Sequence, residues 1–110
     1  MERRERRALT GEIKAAVDWV TEALEPERVY LYNKRENHQG EVTAFKLCII
    51  ADTPDKSAAE RDIYIGFDSE VPFDVLIYTP DEWEQVKNQE ASFAGKIIET
   101  GMIVYEQAQV

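Results

Sequence analysis

With 110 residues and 44% hydrophobic content, the chain is large enough to bury one core without disulfides or metals and too small for two. Its net charge of −9 is uneven: of 13 basic and 22 acidic side chains, residues 1–7 hold four arginines and two glutamates, leaving 9 against 20 in the rest. Binding of DNA or RNA rests on phosphate neutralisation by lysine and arginine, so this acidic body excludes a nucleic-acid groove, and the lack of a long apolar run or apolar leader excludes a membrane span and points to the cytoplasm.

Residues 1–7, Met-Glu-Arg-Arg-Glu-Arg-Arg, offer nothing to bury after the initiator and read as a flexible arm. Residues 8–110 read as a single domain. From Ala8 to Leu24, Ile13, Ala16, Val17, Val20 and Leu24 recur at helical spacing, with Glu12, Lys14, Asp18 and Glu22 on the other faces. Pro26 stops that helix, and Arg28-Val-Tyr-Leu-Tyr32 reads as a strand. Asn33 to Glu41 is wholly polar around Gly40 and is expected to be a loop.

Thr43 to Ala51 is the second predicted strand, and its apolar run from Leu47 implies burial on both faces. The lone cysteine, Cys48, falls in that run and reads as a small buried hydrophobe. Thr53-Pro54 supplies a cap and first position for a second helix, with Ala58, Ala59 and Ile63 as its apolar stripe. Pro72 to Tyr78 is the third strand. Thr79-Pro-Asp-Glu82 then forms a capping box, with Tyr78 and Trp83 at the staple positions. Ser92 to Thr100 reads as a short helix with Phe93, Ile97 and Ile98 turned inward, ended by a left-handed Gly101. Met102 to Tyr105 completes the sheet. The expected fold is a mixed sheet of about four strands flanked by helices.

This order of elements, with Val29-Tyr-Leu-Tyr32, Phe73-Asp-Val-Leu-Ile-Tyr-Thr-Pro-Asp-Glu-Trp83 and Ile97-Ile-Glu-Thr-Gly-Met-Ile-Val-Tyr-Glu106, resembles the minimal nucleotidyltransferases of the polymerase-beta-like superfamily over about residues 10 to 106. The resemblance implies a Gly-Ser phosphate loop after the first strand, an Asp-x-Asp magnesium pair on the second and a third aspartate on the next. Phosphoryl transfer is largely positioning and charge neutralisation, which is why such a site needs oxygen-ligated metal and close backbone approach.

Aligned on that pattern, Asn33 and Lys34 replace the Gly-Ser pair, and Ala44 and Lys46 occupy the metal slots, or Phe45 and Leu47 with the strand slid by one. Only Asp74 remains, in the third-aspartate slot, as a vestigial carboxylate. Asn33, Lys34 and Lys46 are the nucleotide-binding candidates, and no metal ligand set is expected. Arg35 and His38 belong to the same charged loop.

The resemblance therefore implies a degenerate, inactive nucleotidyltransferase-like protein with no cofactor. Its implied role is that of a partner-binding subunit in a prokaryotic two-component module of the toxin-antitoxin kind, with a small helical protein or a further copy of itself as partner. Two alternatives stand beside it. One is a magnesium-dependent nucleotidyltransferase with a site rearranged around Asp74, Glu36 or Glu41. The other is a nucleotide-binding sensor in which Lys34 and Lys46 supply the cation's charge.

Overall fold

The computed structural model describes residues 11–89 and 92–107, so the expected arm at residues 1–7 and the first turn of the first predicted helix lie outside the described residues. The elements are α1 (Gly11–Leu24), β1 (Arg28–Glu36), β2 (Val42–Ile50), α2 (Lys56–Gly66), β3 (Phe73–Tyr78), α3 (Pro80–Val86), α4 (Phe93–Thr100) and β4 (Met102–Glu106). The strands form one mixed sheet in the order β3-β2-β1-β4. β1 runs antiparallel to β2 and β4, and β2 runs parallel to β3. This is an α+β fold with helices on both faces of the sheet.

Strand alternation sorts the side chains into two layers. Val29, Leu31, Phe45, Leu47, Ile49, Val75 and Ile77 face α1 and α2, meeting Ile13, Ala16, Val17, Val20, Ala59 and Ile63. Tyr30, Tyr32, Cys48 and Ile50 face α3 and α4, meeting Trp83, Ala94 and Ile97. β2 is covered on both sides, and its run Leu47 to Ile50 is buried without a break. Within it, burial pushes the Cys48 thiol up to about 12, so the side chain is an inert space-filler.

Several boundaries differ from the sequence reading. β1 continues through Asn33 to Glu36, so the polar loop shrinks to the turn at residues 37–41. The continuation rests on a bulge: Tyr32 pairs with Lys46 and Arg35 with Ala44, leaving three steps on β1 against two on β2. Asn33 takes up the extra residue with φ of 51°, a left-handed conformation that asparagine tolerates better than most side chains. Ladder hydrogen bonds belong to the backbone, so these polar residues can extend the strand with their side chains in water.

α2 is capped by Asp55, whose Oδ1 accepts from the Ala58 amide at 3.1 Å, rather than by Thr53. α4 turns Ala94 and Ile97 inward and leaves Phe93 and Ile98 exposed, because an eight-residue helix lying on Tyr30 and Tyr32 buries a single stripe. Gly101 has extended backbone with φ of −88°, not the left-handed conformation expected. Glycine is needed there for space, since a Cβ would lie 2.6 Å from the Ile97 carbonyl oxygen and 3.0 Å from that of Leu31.

The capping box at α3 forms as read. Thr79 Oγ1 accepts from the Glu82 amide at 3.2 Å and Glu82 Oε1 accepts from the Thr79 amide at 2.9 Å, while Tyr78 meets Trp83 at 5.2 Å between ring centroids. Lys56 Nζ also donates to both Glu82 oxygens, at 2.9 and 2.8 Å, tying α2 to α3. The Lys56 hydrogen bonds, then the Thr79 amide, hold the Glu82 carboxyl below its ordinary value of 4.5. A carboxyl with a folded pKa below its unfolded one stabilises the fold above the unfolded value, and that contribution is lost as pH falls through the folded value. Urea titrations over a pH series should therefore show wild type losing an acid-sensitive increment below pH 4.5 that Glu82→Gln lacks; parallel curves for the two proteins would refute the assignment.

Candidate functional site

The middle of β1, the middle of β2 and the start of β3 lie side by side in the sheet. There Tyr32 pairs with Lys46 and Lys46 with Asp74, so the three side chains stand in a row across three strands on the α3/α4 face. The Asn33 bulge and Lys34 follow Tyr32 directly. Of the sequence-derived candidates, Lys46 and Asp74 are brought together, whereas Asn33 and Lys34 follow Tyr32 along β1 and Lys34 pairs with Glu36.

Their chemistry is not that of a metal site. Lys46 Nζ lies 4.0 Å from Asp74 Oδ2, at the limit of an ion pair, with the two side chains 42% and 68% exposed. A solvated pair of this kind contributes only ~0–1 kcal/mol, so its interest lies in where it stands. Lys34 Nζ is likewise engaged, 3.2 Å from Glu36 Oε2. Asn33 is committed to the bulge, and His38 sits at the exposed hairpin tip, where Asn37 Oδ1 accepts from the Gln39 and Glu41 amides at 2.9 and 3.0 Å.

The donor set does not fit the magnesium of the family pattern. Magnesium takes oxygen ligands, and a second cation in place of a carboxylate repels it. Ala44 and Lys46 offer no oxygen, and Asp74 already faces an ammonium. Among the described residues, no three His, Cys, Asp or Glu side chains are grouped so as to hold a metal ion.

Tyr32 is the member of the row that the sequence marked only as part of a strand. It is 8% exposed, and burial, then the neighbouring Cys48 and Asp74, push its phenol up to about 12. It therefore stays a neutral hydrogen-bonding group and is no general base near neutral pH. Phe93 meets it edge-on at 5.7 Å and forms the exposed apolar rim of the row. For Tyr32 the sequence signal was strand parity, which places alternate residues on one face without saying which helix leaves that face open.

Surface hollows lie elsewhere among the described residues. One of about 480 Å³ sits where α3 turns into α4, lined by Lys87, Ser92, Lys96 and Glu99 among others. A smaller acidic notch of about 250 Å³, bordered by Glu27, Asp52 and Asp81, lies beyond the C-terminal ends of β2 and β3, at the opposite end of the sheet from Lys46 and Asp74. Among the described residues, no helix is long and apolar enough to cross a membrane. No protein-family model matches the chain, and no curated protein matches it.

Proposed function

We propose that the chain is a nucleotidyltransferase-like protein that has lost transferase chemistry and acts in the cytoplasm by binding a partner, a small helical protein of a prokaryotic two-component module. The observation that carries the loss of chemistry is the Lys46–Asp74 pair. Under the resemblance, Lys46 falls in a slot where the family carries a metal-ligating aspartate, and its ammonium lies 4.0 Å from the Asp74 carboxylate. Two-metal phosphoryl transfer needs oxygen ligands that bridge the attacking and leaving oxygens, and one lysine-paired aspartate does not supply them. The sheet-and-helix scaffold and the exposed apolar residues Phe93 and Ile98 remain as a platform for association.

The test separates this reading from its alternatives by metal dependence. The purified protein is titrated calorimetrically with each nucleoside triphosphate, with and without magnesium, and then with any small helical protein found encoded beside it. Labelled nucleotide transfer to that protein is followed in parallel. The expected result is tight binding of the partner with neither nucleotide binding nor transfer. Magnesium-dependent transfer abolished by Asp74→Ala would establish an enzyme instead. Metal-independent nucleotide binding lost in Lys46→Ala would establish a sensor.

A further inference from the structure

The sheet has two edges, and β3 forms one of them. Phe73-Asp-Val-Leu-Ile-Tyr78 is dense in β-forming residues with a single charge, the composition that makes an uncovered edge a template for another strand. Its polarity follows from the hydrogen bonds on the β2 side. The Phe45 amide donates to the Pro72 carbonyl at 3.3 Å and the Ala51 amide to that of Tyr78 at 3.0 Å. Even-numbered residues of β3 thus aim their backbone groups at β2, and Val75 and Ile77 aim theirs outward.

The outward Val75 amide is already engaged. It donates to the hydroxyl oxygen of Tyr64 at 2.9 Å, and the Tyr64 ring reaches it from the last turn of α2, resting on Phe73 with centroids 5.3 Å apart. Tyr64 is 44% exposed, so solvent has access to the blocking side chain. The hydroxyl occupies the middle of the edge, where an incoming strand would have to bond first.

We propose that Tyr64 is a gate on the β3 edge, and that the strand it keeps out is β3 of a second copy of this chain. The sequence of β3 suits self-pairing. An isologous, antiparallel pair centred on Val75 sets Val75 against its own counterpart, with both backbone groups bonded across the axis. Phe73 then opposes Ile77 of the other copy, a favourable aromatic–β-branched pair, and Asp74 opposes Leu76, so the like charges never meet. With the gate closed, that central bond is unavailable. This inference does not rest on the partner-binding reading, although Asp74 lies on the same strand.

Tyr64→Phe tests the gate, since it keeps the ring on Phe73 and removes only the acceptor. Wild type and variant are compared by sedimentation velocity over a concentration series, with circular dichroism to show that both are folded. Amide hydrogen exchange at Val75 and Ile77 is read at the dilute and concentrated ends. The expected results are self-association at least tenfold stronger in the variant, faster Val75 exchange in its dilute form, and renewed protection of Val75 and Ile77 as it associates. The proposal is overturned if the variant associates no more strongly than wild type. It is equally overturned if association leaves exchange at those two amides unchanged, because the contact would then lie elsewhere.

Discussion

Replacement of Phe45 by alanine is expected to lower the unfolding free energy by ~3–5 kcal/mol. The side chain is 1% exposed and is among the largest fully buried in the structure. It stacks on Phe73 at 5.7 Å with the rings within 16° of parallel, and Phe73 in turn meets Phe67 at 5.7 Å and Tyr64 at 5.3 Å. Truncation leaves a void at the root of a four-ring cluster, and rings fixed by their own strands and helices collapse into it only partly. Domains of this kind are stable by about 5–15 kcal/mol in all, so the variant should show a much lower urea midpoint with an unchanged slope. A loss below about 1 kcal/mol would mean that the cluster relaxes freely, against the close packing that the ring geometry implies.

Trp83 should behave differently according to its replacement. It is 3% exposed and sits between Tyr30, at 5.4 Å, and Tyr78, at 5.2 Å, so Trp83→Ala should cost ~3–5 kcal/mol by the same cavity argument. Its indole nitrogen, however, is buried without a hydrogen-bond partner among the described residues. A buried donor left unpaired costs ~1–3 kcal/mol, and phenylalanine removes that donor while keeping most of the ring. Trp83→Phe is therefore expected to cost clearly less than Trp83→Ala, since the cavity is smaller and the removal of an unpaired donor offsets part of it. Thermal and urea unfolding of the pair would decide it: equal losses in the two variants would show that the phenyl ring recovers none of the packing lost with the indole.

Local sequence determined the elements themselves. Ile13, Ala16, Val17 and Val20 at helical spacing, the continuous run Leu47 to Ile50 and the Thr79–Glu82 capping box each express a preference that acts within a few residues, so they could be read without the fold. The double-sided burial of the strand at 43–51 was legible for the same reason, because its apolar run leaves no face for water; which strands flank it was not.

Tertiary structure decided the rest, by forces the local pattern does not carry. β1 runs on through Asn33, Lys34, Arg35 and Glu36 because hairpin pairing with β2 satisfies the backbone whatever the side chains are. Phe93 and Ile98 stay outside because Tyr30 and Tyr32 offer α4 room for one stripe only. Gly101 is a glycine because two carbonyl oxygens from different parts of the chain close on it, not because of its own φ. At the candidate site, the pairing of Lys46 with Asp74, their 4.0 Å approach and the role of Tyr64 on the β3 edge depend on strand register and on where α2 ends. Those are non-local contacts, and no run of neighbouring residues encodes them.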